Sequence, residues 1–167
     1  FAEGALMDWT TIYLVSVVGA TPGTAALSFA LFAGSMSVGR LIGDAATRLF
    51  GPAVLLRAGA AAVAISIGAM LLFSNGPHIL PALVLSGLGI ANVVPAIFSA
   101  AGRAGGADAG AAMSRVATMG YAGLLVGPPV IGFLAQATSL GQSLSTVVLA
   151  ALVITMGARL LRTCGYG

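Results

Sequence analysis

Gly39-Arg40-Leu41-Ile42-Gly43-Asp44-Ala45-Ala46-Thr47-Arg48-Leu49-Phe50-Gly51-Pro52 is a polar island between two apolar runs, and its charges decide how the chain is read. It holds Arg40 and Arg48, with Arg57 close behind. Arg103 and Arg115 flank the next polar gap but one, and Arg159 and Arg162 lie in the tail. The gaps in between carry no cationic residue: Thr21-Pro22, Ser74-Asn75-Gly76-Pro77-His78 and Thr138-Ser139. Arginine confined to alternate gaps between apolar spans is the positive-inside pattern. It implies a polytopic membrane protein whose loops 39–52 and 102–112 and C-terminus face the cytoplasm.

Composition leads to the same place. The 167 residues are 59% hydrophobic and 7% charged, with mean hydropathy +1.07. An ordinary soluble domain is about one quarter charged, so four acids and seven arginines cannot cover a water-facing surface here. The pI near 9.8 would suggest nucleic acid in a soluble protein. These arginines instead come one to three per gap with no aromatic interleaving, so they read as topology signals beside anionic lipid, with no nucleic acid as partner. Cys164 is the one cysteine, which rules out an internal disulfide.

Along the chain, the first apolar run covers about 1–18 and carries Glu3 and Asp8. It is short of the roughly 20 residues a span needs and has neither the basic start nor the apolar stretch of a signal peptide. We therefore expect a cut first helix and a fragment of a longer chain. Five full spans are expected after it, at about 22–38, 53–73, 79–101, 113–137 and 142–161. The apolar runs are too long for strands and lack period-two alternation. The expected fold is an all-α, antiparallel bundle of about six transmembrane helices.

Small residues fill these spans, 24 glycines among them, as close helix packing in lipid requires. Two clusters stand out. Ser86-Gly87-Leu88-Gly89-Ile90-Ala91-Asn92-Val93-Val94-Pro95 puts an amide and a proline near mid-span, and Gly120 to Gly132 combines Gly123 and Gly127 with Pro128-Pro129. Interrupted helices of this kind line transporter sites or form kinked packing faces.

These residues resemble the major facilitator superfamily. Gly39, Arg40, Gly43, Asp44, Arg48, Gly51, Pro52 and Arg57 resemble its cytoplasmic loop motif between helices eight and nine. Glu3-Gly4-Ala5-Leu6-Met7-Asp8-Trp9 is similar to helix seven, and Asn92-Val93-Val94-Pro95-Ala96-Ile97-Phe98-Ser99 to helix ten, of a bacterial branch. That branch includes the rhizopine-associated membrane protein and relatives of sugar permeases. Gly123, Gly127 and Pro128 are similar to the glycine–proline motif that antiporters carry in helix five. The loop departs from the strict motif by one inserted residue before Asp44 and by Ala45 where a base stands.

The resemblance covers residues 1–167. It implies the C-terminal half of a twelve-helix transporter, helices seven to twelve, in the bacterial inner (plasma) membrane. The implied function is secondary transport of a small polar solute, sugar-like or drug-like, coupled to protons. A missing N-terminal six-helix half would be the partner, and the fragment is not expected to work alone. The alternative is a transporter-like receptor or structural subunit.

An intramembrane carboxylate is costly and usually functional. Glu3 should lie near mid-membrane and face a cavity as a proton or substrate group. Asp8, about 140° around the helix from it, should lie towards the outer face beside Trp9 as an anchor. Asn92 is a hydrogen-bond donor either to a substrate or to a neighbouring helix; Tyr13, Tyr121 and Ser35 are weaker pathway candidates. Gly123, Gly127, Pro128 and Pro95 read as kink or packing positions, and Asp44 with Arg40 or Arg48 as a charged latch or a solvated loop. No enzyme is expected, since no His-Glu-x-x-His or phosphate-binding glycine loop occurs. No cofactor or metal is expected.

Overall fold

The computed structural model describes residues 1–73, 76 and 78–157. Arg159, Arg162, Cys164 and the rest of 158–167, like Ser74, Asn75 and Pro77, lie outside the described residues. The chain forms α1 (Ala2–Ser16), α2 (Pro22–Phe50), α3 (Pro52–Leu72), α4 (Ile79–Ile90), α5 (Val93–Gly105), α6 (Ala109–Ala137) and α7 (Leu140–Gly157). No strand occurs among the described residues.

Local chemistry sets the boundaries. Thr21 caps α2, its Oγ1 accepting from the Thr24 amide at 3.2 Å, and Pro22 occupies the first turn, where no N–H is needed. The helix then runs 29 residues to Phe50, about 43 Å at 1.5 Å per residue. Here the structure departs from the sequence reading: 39–50 is helix, not loop. Gly39 and Gly43 have helical φ and are packed against the α4–α5 region, and polarity alone does not break a helix. The break comes at Gly51, whose φ of 79° is open to glycine, and Pro52 starts α3 at once.

The expected span 79–101 divides in two. Pro95 has no N–H for the Ala91 carbonyl, so the ladder fails there and the chain kinks at Ala91-Asn92 between α4 and α5. The expected loop 102–112 is also mostly helical. α5 continues to Gly105, a single 3-10 turn spans Gly106–Asp108, and α6 starts at Ala109. Gly106, with φ of 49°, provides the reversal.

Four stretches are long and apolar enough to cross a membrane: Pro22–Phe50, Pro52–Leu72, Ile79–Ala137 and Leu140–Gly157. The third holds 59 residues, and α5 packs back along α6 within it, so it crosses and returns. The described bundle thus has five crossings plus α1, whose 15 residues reach about 22 Å against a hydrocarbon core of roughly 30 Å.

Helices close on one another where side chains are smallest. A Cβ on Gly59 would stand 2.3 Å from the Gly89 carbonyl oxygen, so α3 and α4 cross backbone to backbone. A Cβ on Gly87 would meet the Phe32 carbonyl oxygen at 2.4 Å, bringing α4 onto α2. Such contacts recover by dispersion what the hydrophobic effect does not supply between helices in lipid. Leu6, Leu14, Phe32, Ile67, Leu83 and Ile131 form a continuous buried core.

Candidate functional site

A cavity of about 590 Å³ opens between all seven helices, with α4 reaching it at Ile90. Its walls are mainly apolar, with Val63, Ile97, Phe98 and Ile154 among them. The polar side chains in its lining are Glu3, Arg40 and Tyr121. Arg40 Nη2 donates to Glu3 Oε1 at 2.8 Å, joining α2 to α1. The Glu3 side chain is 23% exposed and that of Arg40 47%. This is the one ion pair among the described residues. Arg40 stands 18 residues below Pro22, about 27 Å along α2. The pair therefore sits towards the arginine-bearing end of α2.

α1 is held to α6 at two points. Gly123 and Gly127 form a notch for Phe1, where a Cβ on either would come within 3.1 Å of its backbone. Further along, the Trp9 indole N–H donates to the Pro128 carbonyl at 3.0 Å. Gly132 leaves room for the ring, a Cβ there reaching 3.0 Å from it. Trp9 thus joins two helices beside the proline pair. Asp8, its neighbour, is exposed.

The comparisons with known proteins agree with this architecture. The chain is 36% identical over 158 residues to an uncharacterized MFS-type transporter of Yersinia pestis, which covers 95% of the chain and 41% of that protein. It is 30% identical to the membrane protein MosC of Rhizobium meliloti, over 91% of the chain and 37% of MosC. An uncharacterized transporter of Sinorhizobium fredii matches at 32% identity, over 96% of the chain and 42% of its own length. The chain belongs to the major facilitator superfamily. It spans about two fifths of the length of these curated relatives. No family model matches it, and no solved structure does.

In this superfamily member the motif residues play parts the sequence did not reveal. Gly39 and Gly43 lie on one face of α2 against the α4–α5 kink. A Cβ on Gly39 would stand 2.7 Å from the Ala91 Cβ, and one on Gly43 would overlap the Asn92 amide. Asn92 Nδ2 donates to the Gly39 carbonyl at 3.0 Å. Asn92 is thus the helix-to-helix amide, while its neighbours Ile90 and Val93 line the cavity. Asp44 and Arg48 are exposed, and Asp44 makes no ion pair among the described residues. Of the two readings of Asp44, the latch does not form among the described residues: Arg40 turns to Glu3, and Asp44 and Arg48 stand exposed. Gly51 is the corner between α2 and α3.

Of the other pathway candidates, Tyr121 lines the cavity. Tyr13 is 2% exposed and faces a second space of about 430 Å³ at the opposite end, with Ser139 and Gln142. Ser35 bonds back to the Phe32 carbonyl on its own helix. Pro95, on an exposed position of α5, acts through the kink it causes. Arg40 is the cavity residue that sequence reasoning assigned to topology, to the loop motif and to a latch with Asp44, not to the cavity. Its signal was present in the unbroken helical run from Pro22 to Phe50.

Proposed function

We propose that the protein containing this chain is a secondary transporter of the bacterial inner membrane. It moves a small solute through a path that includes the Glu3–Arg40 cavity and couples the movement to protons through Glu3. Residues 1–167 supply its C-terminal six-helix half. The observation that carries this reading is one carboxylate–guanidinium pair set into an apolar cavity between membrane helices. Such a pair is costly to keep in lipid and is retained where its charges are used. Asp8, on the exposed face of the same helix, has no such setting. The arginine-bearing ends face the cytoplasm in this reading.

The test uses the full-length protein in proteoliposomes and follows solute-driven proton flux with a trapped pH dye. Glu3→Gln should abolish coupled flux at matched protein, and Asp8→Asn should leave it near the unmodified level. Wild-type coupling in Glu3→Gln together with its loss in Asp8→Asn would reverse the assignment.

A further inference from the structure

The cavity also points to the kind of solute. A sugar offers many hydroxyls, each needing a polar partner once it leaves water. This cavity offers three polar side chains in a lining otherwise built of Val, Ile, Phe, Leu, Ala and Gly. Val63, Ile97, Phe98 and Ile154 offer a polyol's hydroxyls no partner on these walls. A solute with one polar end and an apolar body matches these walls.

The state of Arg40 identifies the polar end. A guanidinium has five N–H donors in a rigid fork and no acceptor. In Arg40 only Nη2 is engaged, with Glu3 Oε1 at 2.8 Å and with the Met36 sulfur at 3.6 Å. Nε and Nη1 have no partner among the described residues, and the side chain is 47% exposed. Nη1 keeps its N–H donors open to a further acceptor, and a carboxylate oxygen is the acceptor of opposite charge. A ligand ammonium would meet the guanidinium as a like charge and would have to take Glu3 away from it.

We infer that this cavity binds an amphipathic organic monocarboxylate. Its carboxylate accepts from the open Nη1 of Arg40, and its apolar body lies against Val63, Phe98 and Ile154. The inference rests on the transport reading for its setting but concerns binding alone. It also accounts for charge. The titratable groups around Glu3 are Arg40 on α2 and Tyr121 on α6, and α7 carries none. With the ligand on Arg40, two carboxylates share one guanidinium. Glu3 then takes one proton from solution to become the neutral acid, and the site holds one anion and one cation as before.

The experiment uses the full-length protein in detergent and three probes of one shape: 3-phenylpropionate, 3-phenylpropanamide and 3-phenylpropylamine. Binding is read by calorimetry in two buffers of different ionisation enthalpy, which also counts protons taken up. The acid should bind at least tenfold more tightly than the amide or the amine, with about one proton taken up. Arg40→Gln should lose that preference. Glu3→Gln should keep it and lose the proton uptake.

The probe series on the unmodified protein decides the matter even if Arg40→Gln fails to fold. Tighter binding of the amine or amide overturns the inference, as does no binding of the acid at millimolar concentration. Acid binding without any solute-driven proton flux in proteoliposomes would sink the transport reading and leave this one standing.

Discussion

Placing Gly43 on a packed helix face rather than in a solvated loop makes a sharp prediction about a pair of substitutions. The Asn92 amide lies where a Cβ on Gly43 would go and donates to the Gly39 carbonyl at 3.0 Å. Gly43→Ala therefore overpacks the α2–kink contact, at about 1–3 kcal/mol. Better helix propensity returns about 1 kcal/mol of this, for a net loss of about 0–2 kcal/mol. Asn92→Ala loses the inter-helix bond, about 0.5–1.5 kcal/mol. In the double variant the overlap is gone while the propensity gain stays, so the net change lies between about −0.5 and +0.5 kcal/mol. The coupling between the two sites is then about 1–3 kcal/mol in favour of the double variant, within the range seen for touching residues.

Denaturant titration of the full-length protein and its three variants in mixed micelles would measure the cycle. Effects that simply add to within about 0.5 kcal/mol, as for independent sites, would refute the packing and return 39–50 to a loop.

Gly59→Ala and Gly68→Ala sit on the same helix and share the propensity term, so their difference isolates the α3–α4 crossing. Gly68 has open space around it, and Gly59→Ala should unfold more easily by about 1–3 kcal/mol; equal stability would remove the crossing. In a background with Cys164 replaced by serine, Gly76→Cys and Gly141→Cys should label with an impermeant thiol reagent in intact cells. Ala45→Cys and Ala107→Cys should not, and labelling of Ala45→Cys would invert the proposed orientation. Vesicles containing residues 1–167 alone should show no solute flux, because the path we propose needs a second half. Flux there would overturn that.

The architecture was largely legible in the sequence, because it depends on residues that act locally. Apolar length gave the spans, Pro95 marked the α4–α5 kink, and Gly51-Pro52 marked the α2–α3 corner. The error at 39–50 came from reading polarity as a loop signal. Lipid thickness limits how long an apolar run must be, yet a helix may extend beyond it until glycine or proline stops it.

The site was legible in composition but not in direction. Glu3 and Tyr121 were named from residue type, and both line the cavity. Asn92 was named too, but its side chain turns to α2, and no spacing within α4 or α5 states which neighbour it meets. Arg40 was named for the loop, and its pairing with Glu3 was missed because that partner lies 37 residues away on another helix. Charge patterning reports which side an arginine occupies and nothing about what it touches.

Gly51 is the whole connection between α2 and α3, and that turns the pair into a lever. With one residue at the joint there is no slack for one helix to slide along the other; what remains is tilting about a fulcrum. Arg40 stands 11 residues from it, about 16 Å up the arm. A tilt of roughly 10° swings its backbone by about 3 Å at that radius, as much as the whole Arg40–Glu3 separation of 2.8 Å. A small rotation at one glycine thus suffices to part the two charges.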